Sequence, residues 1–578
     1  MTDSPAREHK SSTSDSAKEL HTAGEEDSNQ KPEFARSEDT HLSQWTTNRT
    51  ELWSYYLYYI GNNGLSGFNF GPSQFQNLLF LAGYDPSAPP FASPCGEGAC
   101  VLPFLGEVRD INSIVLMTNG ISFAIQAVLL LMIGAWADYG RWRPNITIFF
   151  TLLAVGVSFA WLGVEDPSKW RAGIALYILG LITYQGALTF WTAAFPGLAR
   201  DLPEVKQSLV EVKDGKKTLQ SHTQLTSISR NRISNISFTV CSAGEIVILA
   251  IMVGILKGMK SDASTENNTK AFSVLIAFSG GVWLLCALPW FFLEKRRPGL
   301  QLPPGTTLLT IGFKQTYAAF SECLRLKQTF LYLIFYFLMG DVLNTTVTVI
   351  ATLQNGVVAY STLQLTLLLI VGIAAQAIGI YAFWFVQKRY KISTKAMLSF
   401  NVFWIIVSLN PECLLTGIYY NDYYKILTIW GLIGIHTDKF GFKHIWEIWL
   451  YQVFYGLMVC PWYAYSQTMI SEVSPLPQMF LFFALFSVVG KTSAFIGPFV
   501  SSAIITAANH NDNMPFAFLF GVGVFSTLFL YMVNVEKSHV ECEEFIKAEA
   551  DRKAFQSGEN GAVDSAYTGD AELKMAEV

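Results

Sequence analysis

Charged residues are scarce in this chain. Only 15% of its 578 residues are Asp, Glu, Lys or Arg, where soluble domains carry about 25%. That scarcity, with 51% hydrophobic and 14% aromatic residues, excludes a water-soluble body of this length and points to an integral membrane protein. Other absences narrow the function. No P-loop is present, so ATP-driven pumping is not expected; no H-E-x-x-H or other credible catalytic pairing occurs, so the chain is not expected to be an enzyme. No His cluster accompanies the cysteines, so neither zinc nor another metal is expected, and no cofactor is implied. A basic patch for nucleic acid is missing. The first 48 residues are polar and lack the apolar core of a cleavable signal, so the first membrane helix is expected to direct targeting.

The charge that does exist is unevenly placed. Residues 1–50 hold ten acids and six basic residues, and 536–578 hold eleven acids and five. Both ends read as disordered, solvated tails. The body between them is therefore net positive, although the whole chain is −5.

Against the roughly 20 residues that span a bilayer, the sequence offers twelve apolar runs. These are 52–82, 111–137, 145–164, 172–195, 233–256 and 271–293, then 329–353, 362–386, 395–419, 445–470, 479–507 and 515–535. A polar linker with Pro298, Pro303 and Pro304 separates the two sets. The expected organisation is a tail (1–50), a six-helix bundle (51–293), a linker (294–328), a second six-helix bundle (329–535) and an acidic tail (536–578). With the amino terminus cytosolic, the cytosolic loops hold about twice the Lys and Arg of the opposite ones, which places both termini in the cytosol. In the linker, Leu309, Phe313, Tyr317, Phe320 and Leu324 recur at helical spacing with Lys314, Arg325 and Lys327 among them. That pattern predicts an amphipathic helix on the cytosolic membrane face, or else a solvated helix packed on the bundle.

The short connection after the second run reads GAWADYGRWRP, residues 134–144. Its Gly134-x3-Asp138-x-Gly140-Arg141-x-Arg143 spacing resembles the signature loop between helices two and three of the major facilitator superfamily. The resemblance implies an all-α polytopic membrane protein, twelve transmembrane helices in two six-helix halves that rock around a central site. Four further stretches sharpen it: YYIGNNGLSGFNFGPSQFQ from Tyr58, LTFWTAAFPGLARDLP from Leu188, LPWFFLEKRRPG from Leu288 and GLMVCPWYAYSQTMISEVSP from Gly456. Together they resemble the fungal autophagy-related protein twenty-two family, vacuolar amino-acid effluxers of that superfamily. The resemblance implies secondary transport of leucine and other neutral amino acids out of the vacuole after autophagic breakdown, in the vacuolar membrane lipid. One departure stands out: the loop after the eighth run, residues 386–391, keeps basic residues but has no Gly–Asp pair. A transporter of another solute, or a scaffold acting through its tails, remains an alternative.

Charges retained in hydrocarbon cost about 2.5–3.5 kcal/mol each, so they mark the solute and proton pathway. Asp341, mid-span in the seventh run with Asn344 a turn away, is suited to carry a proton or a substrate ammonium, or to serve as a structural acid. Glu245 and Lys491 lie in opposite halves and are expected to form a gate; Lys491 could instead hold a substrate carboxylate or snorkel. Glu447 reads as interfacial. Between Gly61 and Pro72 four glycines interrupt the first helix, and unwound amides there, with Asn62, Asn63 and Gln76, are candidates for binding an amino acid's charged ends. Close helix packing is the competing account. Of five glycosylation sequons, Asn267 alone lies in a non-cytosolic loop clear of the membrane. Cys95 and Cys100 share the polar loop PCGEGAC and are open to a disulfide or to two free thiols.

Overall fold

The structure, a computed structural model, describes residues 45–86, 93–95, 100–133, 136, 141–297, 307–390, 392–407, 435, 439, 441–475, 479–508 and 511–548. Contacts divide the chain into two units, Met1–Arg49 with Phe195–Ile233, and Thr50–Ala194 with Ser234–Val578.

Helices dominate. α1 (Arg49–Gly61) passes through a π-helical turn, Leu65–Phe70, into α2 (Gly71–Ala82). A β-hairpin follows, β1 (Val101–Phe104) and β2 (Glu107–Asp110), paired antiparallel around Leu105 and Gly106. Both turn residues have positive φ, 52° and 85°, the twist that a two-residue hairpin turn requires. Then come α3 (Ile111–Ile133), α4 (Arg143–Ala160), α5 (Trp170–Thr192), α6 (Phe195–Arg200), α7 (Pro203–Lys213), α8 (Leu219–Met259) and α9 (Thr265–Leu293). The linker forms α10 (Leu308–Cys323). The second half comprises α11 (Lys327–Val357), α12 (Thr362–Tyr390), α13 (Thr394–Val407), α14 (Ile445–Phe454), a π-turn at Tyr455–Val459, α15 (Trp462–Val473), α16 (Met479–Ser493), α17 (Ile496–Ala507) and α18 (Pro515–Met532).

Local signals explain many of these starts. Pro72, Pro144, Pro203 and Pro515 occupy first turns, where a missing N–H costs nothing. Ser264 caps α9 by accepting from the Asn267 amide at 3.1 Å, the usual role of a serine before a helix.

In the smaller unit, Thr47 donates its amide to the Asp201 carbonyl and its hydroxyl to the Leu198 carbonyl, both at 2.8 Å. Arg232 pairs with Glu204 on α7 at 2.6 Å.

Apart from residues 195–233, the residues of both expected bundles lie in the larger unit. Among the described residues eight helices are long and apolar enough to cross a membrane, not twelve. The four remaining places hold interrupted or shorter helices: α1 to α2, α13, α14 to α15, and α16 to α17. Glycines, Pro461 and Pro498 mark three of the interruptions, and a broken helix exposes backbone amides to a ligand. Phe292 and Tyr531 are 83% and 86% exposed; large apolar side chains displayed this way suit lipid, not water. α10 packs on α3 of the first half and α16 of the second. Its Phe313, Tyr317 and Phe320 stay exposed, as does Leu324 just beyond its end.

Candidate functional site

The interrupted first helix builds an unusual polar environment in the larger unit. Gly61 presses on Trp283 of α9 so closely that an added Cβ would lie 2.7 Å from its Cα. Only a glycine allows that approach. Directly after it, Asn62 is fully buried, and neither its amide oxygen nor its nitrogen makes a hydrogen bond; the Trp283 indole N–H is likewise buried and unsatisfied. The Tyr58 hydroxyl lies near both, but its hydrogen bond is shared with Thr151 at 2.7 Å. Each such orphan costs about 1–3 kcal/mol. Gly64 then turns the chain at φ 92°, and Asn63 accepts from the Leu65 amide at 2.9 Å. Asn63 is thus occupied in shaping the π-turn, whereas Asn62 is left with free hydrogen-bonding capacity.

Aromatic rings line this region. Trp191 of α5 stacks on Tyr55 and Tyr59 at 4.3 and 4.6 Å. Glu245 of α8 lies in electrostatic range of Tyr59, Tyr184 and Cys241. The second half repeats the theme: Tyr332, Phe335 and Tyr336 stand at the same i, i+3, i+4 spacing on α11, and Phe335 and Tyr336 meet Trp462 at 5.7 and 6.1 Å. The two halves therefore carry aromatic clusters of similar construction.

Asp341 occupies a different setting. It is 5% exposed, and its Oδ1 accepts from the Gly497 amide at 3.0 Å and from the Thr345 hydroxyl at 3.4 Å. Gly497 belongs to the first turn of α17, so the carboxylate caps a helix that restarts after a break. A Cβ at position 497 would strike the Thr345 hydroxyl. Asn344, three residues on, is half-buried.

Gln76 lies apart from both, fully buried where the halves meet. It donates to Asn112 Oδ1 and to the Thr352 carbonyl, each at 2.9 Å, and accepts from Asn355 at 2.8 Å. Neighbouring bonds cross the same seam. Ser113 meets Ser502 and Thr506 at 2.7 and 3.2 Å, and Asn119 meets Thr348 at 3.1 Å. Asn268 accepts from the Thr362 hydroxyl at 2.8 Å and donates to the Tyr360 carbonyl at 2.8 Å. Of these only Gln76 stands out in the sequence, because single Ser, Thr and Asn residues in apolar runs do not announce their partners.

Charged pairs at the other end are equally silent in the sequence. Arg143 reaches Glu294 at 2.7 Å, and Arg297 clasps Glu51 at 2.6 and 3.1 Å. Burial pushes the Glu294 carboxyl up and the Arg143 guanidinium draws it back. Of the signature loop, Arg143 is thus in an ion pair and Arg141 is exposed, while Gly134, Asp138 and Gly140 fall outside the described residues. The Lys491 side chain also falls outside them. Glu447 is a cap: its carboxylate accepts from the Gly441, Lys443 and His444 amides at 2.8–3.0 Å. Cys95 and Cys100 are joined as a disulfide with Cα atoms 5.2 Å apart. Asn267 is half-buried in the first turn of α9, its side chain donating to the Lys260 carbonyl at 3.3 Å.

Comparison with known proteins agrees with this architecture. Residues 47–543 match the family described as vacuole effluxer Atg22 like. Autophagy-related protein 22-2 of Emericella nidulans is 22% identical, covering 89% of this chain and 94% of that one. Autophagy-related protein 22 of Saccharomyces cerevisiae is also 22% identical, covering 82% and 88%. Among solved structures, a POT family transporter in complex with 5-aminolevulinic acid superposes with a TM-score of 0.51 at 12% identity, over 84% of this chain and 96% of that one. A mutant form of the nucleoside transporter NupG gives 0.50 at 12%, over 84% and 99%. The fold is that of the major facilitator transporters, and the chain is a multi-pass membrane protein. With the match running through both halves and the linker, this chain belongs to the Atg22-like family of vacuole effluxers.

Proposed function

We propose that this transporter carries leucine-like neutral amino acids from the vacuole lumen to the cytosol by alternating access, after autophagic breakdown has released them. The carrying observation is Asn62, fully buried with both amide atoms unsatisfied at the interruption of α1. A protein retains that cost where a ligand relieves it. In this reading Asn62 at the interruption takes the substrate carboxylate, Glu245 takes the ammonium, and the Tyr59 and Trp191 rings receive the apolar side chain. The β-hairpin end faces the lumen and both termini face the cytosol. Protons accompany the substrate through Glu245 and Asp341, so the acidic lumen drives export. Lys491 completes the gate from the second half.

Full-length protein in liposomes loaded with labelled leucine tests this. Release is expected to accelerate with an acid interior, and Asn62→Ala is expected to raise the half-saturating leucine concentration at least tenfold. Asp341→Asn keeps an oxygen for the Gly497 amide and is expected to fold while losing the pH response. Leucine release that ignores both the pH gradient and the Asn62 substitution overturns the proposal.

A further inference from the structure

A second acidic centre lies outside the membrane-spanning helices, on the seam itself. Asp110 ends β2 in the first half; Asp512 sits between α17 and α18 in the second. Asn112 holds both. Its backbone amide donates to Asp110 Oδ1 at 2.8 Å, and its side-chain nitrogen donates to Asp512 Oδ2 at 2.6 Å. Its remaining oxygen accepts from Gln76, so the two carboxyls are wired into the hydrogen bonds that close this end. Asp512 Oδ1 is buried and without a hydrogen bond. Among the described residues, Asp110 raises the proton affinity of Asp512 and Lys443 opposes it, while Tyr360 faces both acids.

We propose that Asp110 and Asp512 form a proton-binding site shared by the two halves, filled when the hairpin end closes and emptied when it opens. The site differs from Asp341 and Glu245 because each of those belongs to one half. It rests on reading the chain as an alternating-access transporter.

The physical logic is a like-charge pair. Two carboxylates brought together out of water cannot both stay ionised, so closure requires a proton. Burial and the neighbouring Asp110 carboxylate push Asp512 up to about 8 in the closed arrangement. Once the halves part, water and distance return it towards about 3.9, the ordinary aspartate value. The proton is therefore bound more tightly by the closed form. Low pH favours closure, and that advantage fades as pH rises through about 8. Between those limits the closed-to-open ratio should fall about tenfold for each pH unit. A luminal proton would then shut the entrance behind the loaded substrate and commit it to the other side.

The test reads conformation, not transport, so its outcome is separable from the substrate assignment. Labels are placed at Leu105 on the hairpin turn and Ala507 at the end of α17, in full-length protein reconstituted in lipid with its other free cysteines replaced. Pulsed electron resonance then gives the distance distribution from pH 5 to 8. The short-distance population is expected to shrink with rising pH in the unsubstituted protein. In Asp512→Asn it should stay large at every pH, because a neutral amide there removes the repulsion. Asp110→Asn, made from the opposite half, removes the repulsion but leaves Asp512 buried, so the fall should level off at a lower pH than in the unsubstituted protein; it also covers the case where the first variant fails to fold. A distribution unchanged across this pH range, a wild-type slope in folded Asp512→Asn, or a profile in folded Asp110→Asn that coincides with that of the unsubstituted protein, overturns the proposal.

Discussion

The two ends of the larger unit are held by different chemistry. At the hairpin end, the contacts described between halves are mostly neutral: Gln76 to Asn355 and Thr352, Ser113 to Ser502, Asn268 to Thr362. At the opposite end the ion pairs, Arg143 to Glu294 and Arg297 to Glu51, tie the first bundle to the start of the linker that leaves it and do not reach the second half. The difference follows from what each must do. A neutral hydrogen bond is worth about 1 kcal/mol net, so a seam made of several closes firmly yet reopens on a working timescale. A buried charge pair that loses one member costs about 3–5 kcal/mol. That is unsuited to a joint that must part in every cycle and well suited to a corner that must not move.

Breaking a corner should have the largest effect. Arg297→Ala leaves Glu51, 2% exposed, with only the Lys295 ammonium at 3.6 Å and its amide at 3.2 Å, and a loss of about 3 kcal/mol, the low end for a broken buried pair, is expected, read as a marked fall in thermal stability in detergent. Breaking the seam should leave stability largely intact and move the conformational balance instead. Gln76→Ala removes the bonds to Thr352 and Asn355 across the seam; a shift of roughly 2 kcal/mol towards the open hairpin end, about thirtyfold in population, is expected from the same label pair. Ser113→Ala is the finest probe. It removes a single hydroxyl, and a shift of about 1 kcal/mol, roughly fivefold, is expected. Should Gln76→Ala lower thermal stability as much as Arg297→Ala, the distinction between joint and corner fails.

Long apolar runs and the glycine cluster between Gly61 and Gly71 make much of the fold legible in the sequence. Periodicity and punctuation act locally, and a helix broken by glycines is a local event. The restart at Ile496 is harder to see, since its cap, Asp341, comes from 156 residues away. Charge alone singles out Asp341, yet nothing around it in the sequence points to the Gly497 amide. The corners are hidden for a related reason. Glu51 and Arg297 flank apolar runs and look like solvated ends, and only the folded first half brings them together. Asp512, three residues before α18, resembles an ordinary loop acid until Asn112 and Asp110 are placed beside it.

Glu51 and Arg297 stand 246 residues apart, and this separation bears on biosynthesis. At roughly 5–20 residues per second, the ribosome delivers the arginine about 12–50 s after the glutamate. Throughout that interval the nascent first helix has an acid at its margin with no partner yet made, so the insertion machinery has to shelter it or leave it in water. Completion of the sixth span in this half, rather than entry of the first, is then the moment at which the amino-terminal helix becomes anchored.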